Sequence, residues 1–219
     1  MSGKNKIPRV RIMLVDDHEI VRRGLRDFVE REEGFEVCAE AANAAKALEL
    51  CTSEKPDIAL IDLSLGEDSG LELVKDISVR FPDTKMLVVS MQDEQLYAER
   101  VLRAGASGFL SKDTTHTQLI EALRCVLNGM LYTSPLVTQR IVQSIRCPEN
   151  GSSLETLSDR ELAVFEWIGK GEGTSSIAEV MSLSIKTIET YRARIKAKLN
   201  LKDSSELVQH AVQWGLERV

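Results

Sequence analysis

Five polar side chains in the first half of the chain stand where short apolar runs end. Asp16 closes Val10–Asp16 with Asp17 beside it, Asp62 closes Asp57–Asp62, Ser90 closes Lys85–Ser90, and Lys112 lies just beyond Gly108–Leu110. If those runs are strands of one parallel sheet, their carboxyl ends share a crevice. Three carboxylates crowded there repel and raise one another's pKa. A hard divalent cation with oxygen ligands resolves the conflict, and Mg2+ is the usual ion where a phosphoryl group is handled. A hydroxyl and an ammonium suit the phosphoryl oxygens that remain. The chemistry open to such a set is formation of a phosphoaspartate, with one aspartate as nucleophile. Each residue alone means little. An aspartate at a strand end is ordinarily a cap or turn residue, and a lone lysine is ordinarily solvated. Their joint placement carries the reading.

The elements that must position them are legible in the spacing. Extended apolar runs at Val10–Asp16, Phe35–Ala41, Asp57–Asp62, Lys85–Ser90 and Gly108–Leu110 alternate with helical patterns at Glu19–Glu32, Ala44–Ser53, Gly70–Arg80, Glu94–Ala104 and Thr115–Leu127. Strand–helix alternation implies a parallel sheet with helices on both faces, an α/β fold. In the flavodoxin-like strand order 2-1-3-4-5, strands one and three are neighbours, and the aspartates meet.

The second half reads differently. Residues 129–153 hold Gly129, Pro135, Pro148, Asn150-Gly151 and Ser152-Ser153, and read as a linker containing one helix, Leu136–Ile145, with Cys147–Ser153 its most flexible stretch. Beyond Leu154 the pattern is all-helical. A capping box, Ser158-Asp-Arg-Glu161, opens a helix to about Gly169; Thr174–Met181 is short; Ser184 caps a longer helix to about Asn200; Asp203 caps the last, to about Gly215. Short helices with tight turns fit a helix-turn-helix module. The net charge of −6 belongs to residues 1–130, with 17 Lys/Arg against 23 Asp/Glu, whereas residues 131–219 carry 11 of each. Within that neutral half, Lys186 to Lys202 holds six bases against one acid, Glu189. Acidic and locally basic halves imply two domains with different partners.

In the helix from Ser184, Ile188, Ile195 and Leu199 form the stripe that packs inward. Lys186, Thr187, Thr190, Ala193, Arg194 and Ala197 fall opposite, small and basic enough to approach DNA, with Arg192, Lys196, Lys198 and Lys202 flanking them. A basic helix is often only a solvated face. The short helix and turn before it, Ile177–Ser184, supply the frame in which such a helix reads DNA.

The four cysteines show no Cys-x-x-Cys pair, and with three histidines no zinc spacing; reduced, structural thiols are expected. No apolar run approaches the ~18 residues of a membrane span, and no secretory leader is visible, so a cytoplasmic location without membrane contact is expected.

The motifs Leu14-Val-Asp-Asp-His18, Ile61-Asp62, Val89-Ser90 and Ala104-Gly-Ala-Ser-Gly-Phe-Leu-Ser-Lys112 resemble the receiver domain of response regulators, over about residues 8–128. The stretch Leu157-Ser-Asp-Arg-Glu-Leu through Lys186-Thr-Ile-Glu-Thr-Tyr to Leu199 resembles the LuxR-type helix-turn-helix, over about 154–219. Together they resemble the NarL/FixJ family. The resemblance implies that Asp62 accepts a phosphoryl group from a sensor histidine kinase and that Ser90 and Lys112 contact it. It implies Mg2+ held by Asp16, Asp17, Asp62 and the backbone carbonyl of Ser64. It implies a switch in which Ser90 moves to the phosphoryl group and Phe109 turns inward. It implies promoter DNA as partner, contacted by Lys186, Thr187, Thr190, Arg192, Arg194 and Lys198, with homodimerisation on phosphorylation and RNA polymerase as the further contact. The chain departs from the pattern at Leu63–Glu67, which lacks a common proline, at Met91, at Asp113, at Tyr191 and at Glu189, where many members have lysine. A carboxylate at 189 weakens phosphate attraction and can accept from a cytosine amino group instead. An aspartate-nucleophile phosphatase of the haloacid dehalogenase type is the enzymatic rival. It would need a second acid two residues beyond its nucleophile, a spacing that Asp16-Asp17 lacks. The protein is therefore expected to be a regulator and not an enzyme.

Overall fold

The computed structural model describes residues 9–66, 68–146 and 153–216. It forms two compact units, Met1–Val142 and Gln143–Val219. The first contains β1 (Val10–Val15), α1 (Glu19–Glu30), β2 (Phe35–Ala41), α2 (Ala44–Glu54), β3 (Ile58–Ile61), β4 (Ser64–Leu65), β5 (Asp68–Ser69), α3 (Gly70–Arg80), β6 (Lys85–Ser90), α4 (Glu94–Arg103), β7 (Gly108–Ser111) and α5 (His116–Leu127). A further helix, α6 (Pro135–Arg146), follows and runs into the second unit. Proline at its first position needs no N–H partner, so the helix begins one residue before the expected Leu136.

The main sheet has the order β2-β1-β3-β6-β7, all parallel. Setting aside the two-residue strands β4 and β5, this is the expected 2-1-3-4-5. Ile12–Val15 and Ile58–Ile61 are buried, because helices cover both faces of the central strands. That is why these strands read as unbroken apolar runs. Four helix starts have a local reason: Asn43, Ser69, Asp93 and Thr115 accept hydrogen bonds from the first turns of α2, α3, α4 and α5. The antiparallel β4–β5 hairpin was not expected. Two residues a side are too few for a periodic signal, and the turn depends on Gly66 at φ +62°.

The second unit holds α7 (Asp159–Gly169), α8 (Thr174–Val180), α9 (Ile185–Leu199) and α10 (Ser204–Leu216), preceded by a single 3-10 turn at Ser153–Thr156. Its core is Leu162, Phe165, Ile168, Ile177, Ile188, Ile195, Leu207 and Ala211. The Ser158 capping box forms as expected, and Asp203 accepts from the Ser205 and Glu206 amides. Trp214 and His210 pack edge-on against Phe165, so much of α10's apolar face belongs to the core, and Val208 and Leu216 are its large exposed apolar residues. Cys38, Cys51 and Cys125 are free thiols. Cys147 and most of the stretch expected to be the flexible part of the linker lie outside the described residues.

Candidate functional site

Strand register places the aspartates. Val15 pairs with Ile61, so Asp16 and Asp62 leave β1 and β3 at the same level. Ile61 in turn pairs with Val88, which sets Ser90 on β6 one residue beyond the level of Asp62. The Lys112 amide donates to the Ser90 carbonyl, fixing the lysine beside that strand end. Asp16 and Asp62 are 1% and 3% exposed, and Ser90 is buried with them. The Lys112 ammonium lies 2.6 Å from Asp16 Oδ2 and 2.6 Å from Asp62 Oδ2. Burial pushes the Asp62 carboxyl above the usual carboxylate range, against the opposing pull of Lys112 and then of Ser90. Burial alone would lower the Lys112 pKa, but Asp16 and Asp62 override it and hold the ammonium charged. One ammonium thus faces three carboxylates, counting the half-buried Asp17. Asp62 Oδ1 is buried and accepts no hydrogen bond among the described residues.

That excess of buried negative charge and the orphaned Asp62 oxygen fit a divalent cation with oxygen ligands. Ligand atoms of Asp16, Asp17 and His18 lie within 4.8 Å of one another. His18 was not expected there; its Nδ1 is 2.7 Å from Asp17 Oδ1, and its amide donates to Asp16 Oδ1. Ser64 lies in β4, with its hydroxyl accepting from Gln92 Nε2 at 3.3 Å. Sequence reasoning also missed Gly70. A Cβ there would stand 2.0 Å from the Asp62 carbonyl oxygen, so only glycine lets α3 begin against the Asp62 backbone. Beside the site, a cavity of about 400 Å³ is lined mainly by α1 and by Val89, Met91, Lys112 and Thr114. Met91, which lines this cavity, is exposed, as is Ile20 in the first turn of α1.

Ser90 Oγ accepts from the Gln92 amide at 3.3 Å. Phe109 is buried in β7, 1% exposed. The residue's outward link is its backbone. The Phe109 amide donates to the Tyr132 carbonyl, and the Tyr132 amide to the Ser107 carbonyl, so residues 130–133 strap the edge of β7. The strap continues onto α4: the Ser134 amide donates to Glu94 Oε1 at 2.9 Å, and Arg140 Nη1 donates to the Gln95 carbonyl at 2.9 Å. These contacts join long-range partners and have no signature in the sequence.

In the second unit Ile188 and Ile195 are buried, and Lys186, Thr190, Ala193, Arg194 and Ala197 are exposed, as the helical periodicity required. The Thr190 hydroxyl donates to the Lys186 carbonyl at 2.9 Å, and the remaining expected DNA contacts have side-chain partners within the protein. Thr187 joins the α9 cap, its amide and hydroxyl both bonded to Ser184 Oγ. The Arg192 side chain is 12% exposed, with Nε 4.0 Å from Glu189. The Lys198 ammonium lies 2.6 Å from Oε2 of Glu161, a carboxylate buried in α7.

Burial would raise the Glu161 pKa, but the hydrogen bond from Lys198, followed by those from Ser158, brings it below the ordinary 4.5. A folded-state pKa lowered in this way contributes stability that is present above pH 4.5 and lost as pH falls through the folded value. Glu161→Gln should therefore lower the melting temperature of the second unit at pH 7, by about 1–3 kcal/mol of stability. The deficit should shrink as pH is taken below 4.5. A deficit that is constant from pH 7 to pH 3.5 would show that the pair does not titrate with folding.

Comparison with known proteins agrees with this architecture. Residues 12–124 match the response regulator receiver domain, and residues 155–211 match the bacterial regulatory proteins of the luxR family. The oxygen regulatory protein NreC of Staphylococcus epidermidis is 38% identical over 215 residues, 94% of this chain and 99% of that protein. The response regulator UvrY of Escherichia coli is 34% identical over 208 residues, 94% of this chain and 95% of that protein. Among solved structures, a LuxR-family two-component response regulator from an Aurantimonas species is 36% identical, covers 63% of this chain and 99% of its own, and superposes with a TM-score of 0.58. RcsB of Salmonella typhimurium, 24% identical, shares the fold over 94% of this chain and 98% of its own, with a TM-score of 0.69. No helix among the described residues is long and apolar enough to cross a membrane. A receiver-type sheet with its aspartates at the strand ends, followed by a LuxR-type helix-turn-helix, makes this chain a member of the NarL/FixJ family of two-component response regulators, DNA-binding regulators of transcription.

Proposed function

We propose that Asp62 is the phosphoryl acceptor and that its phosphorylation, by a sensor histidine kinase in the cytoplasm, controls binding of α9 to promoter DNA. Residues 8–128 act as the receiver, 129–153 as the linker and 154–219 as the DNA-binding domain. The single observation that carries the reading is the unpartnered, buried Asp62 Oδ1 beside an ammonium that already neutralises the other oxygen. A carboxylate oxygen of Asp62 forms the bond to phosphorus as the phosphorus–nitrogen bond to the donor imidazole breaks. Lys112 and Ser90 then bind the new phosphoryl oxygens. Asp16, Asp17, Asp62 and the Ser64 carbonyl would hold Mg2+, which when bound neutralises the phosphoryl charge as a Lewis acid. The apolar groove along α1, with Ile20 and Met91 exposed nearby, suits the approach of a kinase surface to this site.

Lys186, Thr190 and Arg194 are the side chains of the expected set most open to DNA. Thr187, Arg192 and Lys198 serve mainly to fix α9 and reach phosphates only from its flanks. One such helix reads a short half-site, so a phosphorylated homodimer on two half-sites supplies the affinity, and the bound dimer meets RNA polymerase at the promoter. The signal leaves the receiver through the strap: movement of Ser90 shifts the α4 start, and Glu94 and Gln95 pass the shift to α6.

The test is DNA binding by full-length protein with and without acetyl phosphate and Mg2+, in wild type, Ser90→Ala and Glu94→Ala. Both variants should still be phosphorylated. Stimulation of DNA binding should fall about five- to tenfold, the size of one coupling interaction. Full stimulation in both would show that the coupling runs elsewhere.

A further inference from the structure

We infer that Glu189 selects a cytosine in each half-site, and that Thr174 is a positioning residue that holds it. The inference deepens the DNA-binding reading and rests on it. Glu189 is the only acid between Lys186 and Lys202 and sits among the exposed residues of α9, its side chain 59% exposed. A carboxylate facing DNA repels phosphates, so it is matched only by a donor on a base edge. In the major groove guanine offers two acceptors and thymine an acceptor and a methyl group. Adenine has an amino group, but beside it lies the N7 acceptor, which would face a second carboxylate lone pair. Cytosine presents its amino group without that neighbour.

The geometry is that of a held reader and not of a free surface acid. The Thr174 hydroxyl, at the first residue of α8, donates to Glu189 Oε1 at 2.9 Å. Arg192 Nε stands 4.0 Å from the same oxygen. Among the described residues Oε2 accepts no hydrogen bond, so one oxygen is anchored on the partner helix and the other is left open. Glu189 is also in the first half of α9, the part of a recognition helix that reaches base edges. Fixing the rotamer in advance removes an ordering cost that a flexible glutamate would meet on binding.

Selection of bound duplexes from a random pool, by full-length protein with acetyl phosphate and Mg2+, tests this. Wild type should return a motif with cytosine at one position of each half-site, and replacing that base should weaken binding about tenfold. E189Q should move the preference there to adenine, because glutamine pairs with the adenine N6 and N7 edge. E189A should lose preference at that position alone and bind non-specific DNA at least as tightly, the repulsion being gone. Thr174→Val should keep the cytosine but discriminate only about two- to threefold. If E189Q and E189A return the wild-type motif, Glu189 reads no base and the inference is overturned, while the DNA-binding reading survives. If wild type enriches no motif at all, the DNA-binding reading fails and takes this one with it.

Discussion

Asp62→Ala should leave the protein folded and unable to take phosphoryl from acetyl phosphate. The fold should hold because Asp16 keeps Lys112 as a partner 2.6 Å from Oδ2 and Asp17 keeps His18. Stability should not suffer. Burial raises the Asp62 pKa, which means that the folded state holds its charged form at a cost at neutral pH. Removing that carboxylate therefore leaves the melting temperature unchanged or higher. Phosphate-affinity electrophoresis after incubation with acetyl phosphate and Mg2+ reads the first effect, and thermal unfolding the second. A retarded band of wild-type intensity would move the acceptor to another residue.

Gly70→Ala should damage fold and site together. The new methyl carbon would lie 2.0 Å from the Asp62 carbonyl oxygen and 2.6 Å from Leu63 Cα. Both obstacles are backbone, so no rotamer change relieves them. The Gly70 amide also donates to the Leu63 carbonyl at 3.0 Å, which ties the start of α3 to the segment that must move. Overpacking of this kind costs about 3 kcal/mol or more, a fall of roughly 10 °C in melting temperature. Displacing the Asp62 backbone should also slow phosphorylation at least tenfold, measured well below the variant's melting point. Gly24 in α1 is the control: a Cβ there meets nothing within 4 Å, and Gly24→Ala should stabilise by about 0.5–1 kcal/mol. If Gly70→Ala melts and phosphorylates like wild type, the close approach is not needed.

What could be read from sequence was what local chemistry dictates. Continuous apolar runs marked β1, β3 and β6 because both faces of those strands are covered, and the same runs ended at the residues that meet in the site. The caps at Ser158 and Ser184 showed where helices begin, since each hydroxyl stands directly before its helix. What could not be read was long-range. Lys198 is a base on a basic helix until its partner is known; Glu161, 37 residues away, makes it part of the α7–α9 junction. Glu189 looked like a misplaced acid until Thr174, 15 residues earlier, gave it an anchor. Gly70 carried no signal because its role is to be absent from the space that Asp62 occupies.

One buried carboxylate is proposed to govern DNA binding by a separate unit. The direct measurement is fluorescence anisotropy of the selected duplex, titrated with full-length wild type and with Asp62→Ala, each with and without acetyl phosphate and Mg2+. The phosphoryl donor should tighten wild-type binding at least about tenfold and leave Asp62→Ala unmoved. Equal tightening of both proteins, or wild-type binding that is the same with and without the donor, would contradict it.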